Sequence, residues 1–122
     1  MVRTYKTLEF GRASGNEVWR SYIARAASKG LAWELTRCEF DALISRSCVY
    51  CSRPPGNIKN NGRNYGHLFY NGIDRVDNRL GYIKSNVVSC CAICNRAKGT
   101  LTTQEFDLWI HDLMRVQHGL PN

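Results

Sequence analysis

Apolar side chains recur at helical spacing near the beginning of the 122-residue chain. Ser14 and Glu17 lie three residues apart, have the form of a capping box and predict where a first helix begins. Gly30 predicts where that helix ends. The residues expected to form its buried stripe are Val18, Trp19, Tyr22, Ile23 and Ala26.

Two further capping boxes predict two more helices. Thr36 and Glu39 begin a short helix. Its inward side chains are expected to be Phe40, Leu43 and Ile44. Thr102 and Glu105 begin a last helix, whose apolar stripe we expect to lie in the core of the protein. That stripe consists of Phe106, Trp109, Ile110, Leu113 and Met114.

The periodicity changes between the second helix and the last one. Prolines, glycines and asparagines are frequent in residues 53–66 and predict a surface loop. Residues 67–76 and 82–89 have the composition of two short strands joined by a turn, and residues 91–98 predict a short helix. We therefore expect an α+β fold in which a strand, strand, helix unit is flanked by helices.

The cysteines suggest a metal site in this central unit. Two C-x-x-C pairs can close a tetrahedron of thiolates around one zinc ion. A disulfide framework is the alternative, but it needs an oxidising compartment, and the chain opens with no apolar signal segment. The expected ligands of a structural zinc are Cys48, Cys51, Cys91 and Cys94.

Two cysteines lie outside that set. Cys90, next to Cys91, offers a competing register, but the two-residue gap before Cys94 favours Cys91 as the ligand. We expect Cys38 and Cys90 to be buried thiols without a metal.

Charge and hydropathy narrow the function classes. Seventeen Lys and Arg against ten Asp and Glu give a formal net charge of +7 and favour a polyanionic partner such as nucleic acid. No apolar run is long enough to cross a bilayer, so no membrane partner is expected. One domain of this size has a small core, and a structural zinc would add an apparent binding free energy of about 10 kcal/mol.

Four short motifs follow one another in the centre of the chain. They are NGIDRVDN at residues 71–78, GY at 81–82, NVV at 86–88 and CAICNRAKG at 91–99. Their order and spacing, together with the cysteine pairs, resemble the HNH endonucleases. The resemblance implies a ββα-metal core that is held together by the four-cysteine zinc site.

The resemblance also implies how the single domain, residues 1–122, is divided. It covers residues 48–106, the zinc-held core. Residues 1–47 form a helical lead-in similar to that of small phage-encoded members, and residues 107–122 form a C-terminal helix and tail.

The activity implied by the resemblance is metal-dependent cleavage of double-stranded DNA. HNH enzymes hydrolyse phosphodiester bonds to 5′-phosphate and 3′-hydroxyl ends with Mg²⁺ or Mn²⁺. Asp74 and Asn95 match the ligands of this catalytic ion, although each could instead cap a turn or a helix. Asn86 matches the residue whose amide braces the loop between the strands.

The chain departs from the family pattern at the residue after the aspartate. Most members carry the general-base histidine there, whereas this chain carries Arg75, whose guanidinium stays protonated. Some HNH enzymes share this Asp-Arg pair and obtain the base elsewhere, and there the arginine is better placed to grip the scissile phosphate. We carry that role to Arg75.

The general base then has to come from another residue. His67 is one candidate because a neutral imidazole can accept a proton near pH 7, but the extended strand between it and Asp74 would need a sharp bend. Tyr50 and Tyr70 are alternatives that would need a strongly lowered pKa or would only orient water. All three are also explained as packing aromatics. His111 and His118 are expected at the surface.

Several basic residues are candidates for contacts with DNA phosphates. Near the expected metal, Arg96 and Lys98 could hold phosphate, although a solvated helix end explains them as well. The full set of candidates is Arg75, Arg79, Lys84, Arg96 and Lys98, with Arg53, Lys59 and Arg63 in the predicted loop.

Two other interpretations remain open. A DNA-binding zinc module of the same fold, inactive because the histidine became arginine, is the main alternative to the nuclease. A zinc-bound protein-interaction domain leaves the charge and the Asp-Arg pair unexplained. For a nuclease we expect the cytoplasm of a bacterial host or phage-infected cell, and a homodimer or a phage packaging protein as further partners.

Overall fold

Four α-helices and four short strands build the described part of the chain, residues 11–60 and 66–121, in a computed structural model. One 3₁₀ turn, Lys84–Asn86, precedes the last strand. The elements in chain order are α1 (Arg12–Ser28), α2 (Arg37–Ile44), β1 (Asn57–Asn60), β2 (His67–Tyr70), β3 (Gly72–Arg75), β4 (Val87–Cys90), α3 (Ala92–Lys98) and α4 (Thr103–His118).

The central unit is formed by β3, β4 and α3. The two strands pair antiparallel with Asp74 opposite Val88, and α3 begins two residues after β4 ends. The predicted strand, strand, helix unit inside an α+β fold is therefore confirmed.

The first helix begins earlier than predicted. Gly11 is its N-cap, with a left-handed backbone that favours glycine, whereas Ser14 lies inside the helix and is buried. The Ser14 hydroxyl donates to the carbonyl of Gly66 at 3.2 Å. The capping box predicted at Ser14 was thus wrong, because a tertiary hydrogen bond uses the side chain. At the other end, Gly30 and Leu31 donate to the carbonyls of the last turn in a Schellman motif.

Two strands interrupt the expected pattern between α2 and β3. β1 lies inside the segment predicted as a loop and pairs antiparallel with β2. The predicted strand over residues 67–76 is broken at Asn71, which is buried and whose backbone N–H donates to Ile44 O at 2.9 Å. β2 and β3 therefore belong to different sheets. Arg63 lies outside the described residues.

The second predicted strand, residues 82–89, is also shorter than expected. Tyr82 forms an isolated parallel bridge with Trp33, the 3₁₀ turn follows, and only β4 continues as strand. The bridge joins the lead-in segment to the central unit, because Tyr82 N donates to Ala32 O at 2.8 Å and Glu34 N donates to Tyr82 O at 2.9 Å.

The core lies between the two lead-in helices and the β3–β4 sheet. Aromatic rings pack edge to face there, with the Tyr22 and Phe40 centroids 5.6 Å apart. Tyr22 also accepts a hydrogen bond from the backbone N–H of Ile73 at 3.1 Å. The buried members of this cluster are Val18, Tyr22, Ala26, Leu35, Phe40, Leu43, Ile44, Ile73, Tyr82 and Val87. The lead-in thus packs directly on the strand that carries Asp74.

The last helix differs from its prediction. Its Thr102–Glu105 capping box forms as expected, and Phe106 is buried. The rest of the predicted core stripe is not buried: Trp109, Leu113 and Met114 are 44, 43 and 48% exposed. The predicted boundary between core and C-terminal segment at residue 106 falls within this helix.

Membrane-spanning helices are absent from residues 11–60 and 66–121, where each helix is too short or too polar for that purpose.

Gly81 tests how closely the lead-in approaches the central unit. A Cβ at Gly81 would overlap the backbone of Ala32, whose nitrogen would lie 2.6 Å away. We therefore expect Gly81→Ala to lower the free energy of unfolding by about 2 kcal/mol, measured by urea denaturation. Gly56→Ala is the matched control, since its Cβ would only touch Pro54 O at 3.7 Å. Equal urea midpoints for the two variants would contradict this close approach.

Candidate active site and metal centre

Four sulfur atoms form a cluster at one end of the central unit. The Sγ atoms of Cys48, Cys51, Cys91 and Cys94 all lie within 4.8 Å of one another. A tetrahedron with metal–sulfur bonds of about 2.3 Å has edges of about 3.8 Å. The separation of the Cys51 and Cys91 sulfurs, 3.7 Å, matches such an edge. The four predicted ligands are therefore positioned to bind one metal ion.

The local backbone explains how these four residues meet. Cys48 to Cys51 form a turn that is closed by a hydrogen bond from Ser52 N to Cys48 O at 2.8 Å and is tied to β4 by Val49 N donating to Ser89 O at 2.9 Å. Cys91 is the N-cap of α3, and its sulfur accepts from Cys94 N at 3.4 Å. A thiolate at a helix N-terminus is stabilised by the backbone N–H groups.

Backbone N–H groups of the turn and of the α3 N-cap lower the pKa of one of these thiols. Burial acts to raise the pKa of Cys48, but hydrogen bonds from the backbone of Cys91, Cys51 and Tyr50 lower it to about 6. Burial and the neighbouring thiols raise the pKa of Cys94. The cluster thus favours a thiolate at Cys48, and a bound cation would favour the others.

The two cysteines outside the cluster differ in burial. Cys90 is buried, as predicted, and burial raises the pKa of its thiol. Cys38 is exposed on α2, so the prediction that it is buried was wrong. The six cysteines all lie in the described residues and form no disulfide there.

Asp74 lies at the end of β3 in a buried polar network. Its side chain is 5% exposed. The Tyr50 hydroxyl donates to Asp74 Oδ2 at 2.8 Å, and the Lys98 ammonium lies 3.3 Å from Oδ1 and 3.2 Å from Oδ2. Tyr50 comes from the first cysteine pair and Lys98 from the helix that follows the second. The cluster and the carboxylate are therefore joined through both.

Lys98 is where the structure corrects the sequence analysis most clearly. It was predicted to reach DNA phosphate or to end a solvated helix, but its side chain is 0% exposed. Its ammonium also donates to Arg75 O at 3.4 Å. Because it is enclosed, Lys98 is not a surface contact for DNA.

The predicted catalytic residues Asp74, Arg75 and Asn95 line one cavity of about 230 Å³. Two basic residues of the lead-in, Arg25 and Lys29, also line it. Neither was predicted as a site residue, because no sequence motif links α1 to the central unit. The sequence carried one weak signal. Arg25 and Lys29 each come three residues after a buried residue of α1, Tyr22 and Ala26, and so lie next to its buried face.

Arg75 lines the cavity and also donates hydrogen bonds to the loop between β3 and β4. Its Nη1 donates to Asn78 O at 2.6 Å and to Leu80 O at 2.9 Å, and its guanidinium lies over the Tyr82 ring, 5.6 Å from the centroid. A phosphate contact would have to use the other guanidinium nitrogens.

Asn86 also stabilises the loop between β3 and β4. It is buried, its amide nitrogen donates to the carbonyls of Asp77 and Gly81, both at 3.0 Å, and its oxygen accepts from Asp77 N at 2.9 Å. These are the bracing contacts that the resemblance implies, and they give Asn86 no contact with the cavity.

The other predicted DNA contacts lie at the surface. Arg79 is paired with Asp77 at 2.8 Å, and its hydrogen bonds lower the pKa of Asp77 to about 2. Lys84 is 83% exposed and lies 3.8 Å from Glu39. The remaining exposed candidates are Arg53 and Arg96, while Lys59 forms an ion pair with Glu17.

The candidates for the general base lie in different parts of the fold, and not all of them are near Asp74. His67 and Tyr70 lie in β2, outside the β3–β4 sheet, and neither lines the Asp74 cavity. Tyr50 is adjacent to Asp74, but burial raises the pKa of its phenol, and the hydrogen bond to Asp74 raises it further. His111 and His118 are exposed on α4, as predicted.

No protein-family model matches the chain. An uncharacterized protein of Acanthamoeba polyphaga mimivirus is 36% identical over 100 residues, which make up 82% of this chain but only 17% of that protein's length. Among solved structures, the rare-cutting HNH restriction endonuclease PacI is similar over 98% of this chain and 86% of its own, with a TM-score of 0.61 and 26% identity.

The similarity to PacI extends over nearly the whole chain, including the lead-in helices and α4. It agrees with the strand, strand, helix unit and with the cysteine cluster beside it. The chain therefore has an HNH-like fold in which four cysteines are positioned to bind a metal ion.

Proposed function

We propose that this protein is a metal-dependent DNA endonuclease that hydrolyses phosphodiester bonds to 5′-phosphate and 3′-hydroxyl ends. The observation that carries the proposal is the cavity on an HNH-like fold into which Asp74, Asn95 and three cationic side chains converge. A carboxylate, an amide and surrounding positive charge are what phosphoryl chemistry with a divalent ion requires.

Zinc is the proposed occupant of the cysteine cluster. Four thiols within 4.8 Å, with one edge of tetrahedral length, fit zinc and leave no open position for substrate. The role of this ion is therefore structural. It holds the loop of Tyr50 against the start of α3, which carries Asn95 and Lys98.

Asp74 and Asn95 are the proposed ligands of a second, catalytic ion. A single carboxylate and a neutral amide fit Mg²⁺ or Mn²⁺, which keep several positions for water and phosphate oxygens. Such an ion would polarise the phosphate and stabilise the departing 3′ oxygen. Tyr50, as a donor to Oδ2, would fix the direction in which Asp74 presents its remaining lone pairs.

Double-stranded DNA is the proposed partner. Arg25, Lys29 and Arg75 surround the cavity and would neutralise phosphates on either side of the scissile bond. A net charge of +7 would attract the polyanion to the protein before these contacts form.

An inactive DNA-binding module of the same fold is the second candidate. The observation that favours it is that no histidine of residues 11–60 or 66–121 lines the Asp74 cavity, while the pKa of Tyr50, the phenol that is hydrogen-bonded to Asp74, is raised. In the nuclease, Tyr50 would fix the orientation of Asp74 through its hydrogen bond to Oδ2, and the proton of the attacking water would leave through solvent. The two candidates differ in activity, not in DNA binding.

Supercoiled plasmid decides between the two candidates. Purified zinc-loaded protein is incubated with the plasmid and Mg²⁺ or Mn²⁺, and the ends are mapped. The nuclease should nick or linearise the plasmid and leave 5′-phosphates. If the wild type leaves the plasmid intact with every metal while Arg75→His cuts it, the inactive module is correct.

Asp74→Asn tests the catalytic ion. The asparagine keeps the shape of the side chain and can still accept from Lys98, so the fold should persist, whereas Asp74→Ala would leave the buried Lys98 ammonium with the carbonyl of Arg75 and no side-chain acceptor. We expect plasmid cleavage to fall by at least about a hundredfold with DNA binding unchanged. Asp112→Asn, at an aspartate that is 68% exposed on α4, is the control and should cut like the wild type. Undiminished cleavage by Asp74→Asn would exclude Asp74 as the ligand.

Arg25→Ala tests the unexpected contribution of the lead-in helix. We expect weaker binding to duplex DNA and a log–log salt dependence that is shallower by about one unit, because one phosphate contact is lost. Arg20→Ala is the matched control, since Arg20 is exposed on the same helix but does not line the cavity. The contact is refuted if both variants show the same salt slope in fluorescence anisotropy titrations.

Cys94→Ala tests the structural zinc. Removing one of four thiolates should release the ion and abolish cooperative thermal unfolding, because the ion joins two distant segments. Metal analysis should find one zinc per chain in the wild type and in Cys38→Ala, whose thiol lies outside the cluster. A Cys94→Ala protein that melts like Cys38→Ala would contradict the assignment.

A further inference from the structure

Among the described residues, Asp74 and Lys98 are the charged residues whose side chains are buried. Burying an ammonium is costly, and proteins bury one only when its donors are satisfied. Lys98 is paired in this way: its ammonium donates to Asp74 Oδ1 at 3.3 Å and to Arg75 O at 3.4 Å, and it lies 3.2 Å from Asp74 Oδ2 in an ion pair. All three oxygens lie at the end of β3.

The position of the ammonium relative to the cavity is informative. Asp74 lines the cavity, whereas Lys98 does not. The carboxylate is therefore shared between a fixed cation inside the protein and whatever occupies the cavity. Each carboxylate oxygen can accept more than one partner, so the ammonium and the Tyr50 hydroxyl leave lone pairs for a third group.

We infer that Lys98 is a positioning residue that weakens the binding of a divalent cation at Asp74, so that the cation is held firmly only together with DNA phosphate. This inference rests on the proposed function, in which Asp74 is the metal ligand. A positive charge 3.2 Å from the carboxylate opposes a second cation on the same group. Arg25, Lys29 and Arg75 around the cavity add to that repulsion.

Phosphate reverses the balance. A DNA phosphate in the cavity would bring negative charge among three surrounding cations and supply oxygen ligands to the metal. In the free protein, the cations around Asp74 therefore outnumber the carboxylate, and the site is positive. In the DNA complex, the phosphate would offset that positive charge, so that a divalent cation could bind. With such a coupling, the protein would bind the metal ion firmly only after it has bound DNA.

Lys98→Met is the direct test. Methionine keeps the unbranched apolar stem and removes the charge. In zinc-loaded protein without DNA, we expect Mn²⁺ to bind about tenfold more tightly, or better, than to the wild type, measured from the free-manganese signal in electron paramagnetic resonance. Arg20→Met is the control for the loss of a positive charge, since Arg20 is exposed on α1 and does not line the cavity, and it should match the wild type.

The outcomes separate the role of Lys98 from a structural one. If Lys98→Met keeps its zinc and its circular dichroism spectrum but binds Mn²⁺ no more tightly than the wild type, Lys98 is only a structural ion pair and the inference fails. If Asp74→Asn abolishes the tighter binding seen in Lys98→Met, the effect is assigned to the shared carboxylate.

A measurement on the wild type keeps the inference testable should Lys98→Met fail to fold. Mn²⁺ affinity is compared with and without a short duplex, and the Asp74→Asn protein with the same duplex gives the background from manganese on DNA alone. We expect the duplex to tighten Asp74-dependent binding by about tenfold or more. Tight binding without DNA would overturn the inference while leaving the proposed function intact. Absence of Asp74-dependent manganese binding in every sample would refute the metal site of the proposed function itself.

Discussion

The cysteine cluster is the constraint on which the rest of the site depends. It joins the turn of Cys48 and Cys51 to the start of α3, two segments separated by about 40 residues of chain. Tyr50 lies within the first pair, and α3 carries Asn95 and Lys98. A four-residue strand pair could not hold these side chains around Asp74 by itself, because short two-stranded sheets are marginally stable in water. With the cluster closed, the Tyr50 hydroxyl and the Lys98 ammonium both reach the Asp74 carboxylate.

The electrostatics of the cavity favour an anion over a free cation. One carboxylate faces several positive groups, of which Arg25 and Lys29 come from the lead-in helix and Arg75 from β3. In the proposed nuclease, this balance would make up for a single anionic metal ligand, because the substrate would supply the missing negative charge and the missing oxygen ligands. Packing of Tyr22 against β3, through its hydrogen bond with Ile73 N, is what places the basic end of α1 at this position.

Features set by local chemistry could be predicted from the sequence, and those set by long-range contacts could not. The C-x-x-C pairs and the Thr36 and Thr102 capping boxes are encoded within a few residues, and all appear in the structure. The Ser14 box failed because Gly66 captures its hydroxyl, and the strand over residues 67–76 was divided because buried Asn71 donates to Ile44 O. Lys98 looked like a surface residue at a helix end because only the fold brings Asp74 to it. The apolar stripe of α4 has helical spacing, but spacing alone does not supply a partner to bury it.

Whether zinc occupies the cysteine cluster, and with which ligands, is the most direct test of the proposed structural role of that cluster. X-ray absorption at the zinc edge of the protein as purified reports the ligand type, number and distance without any substitution. The account predicts a single shell of about four sulfur atoms at about 2.3 Å. A folded protein without zinc, or a zinc shell in which nitrogen or oxygen replaces the sulfurs, would contradict it.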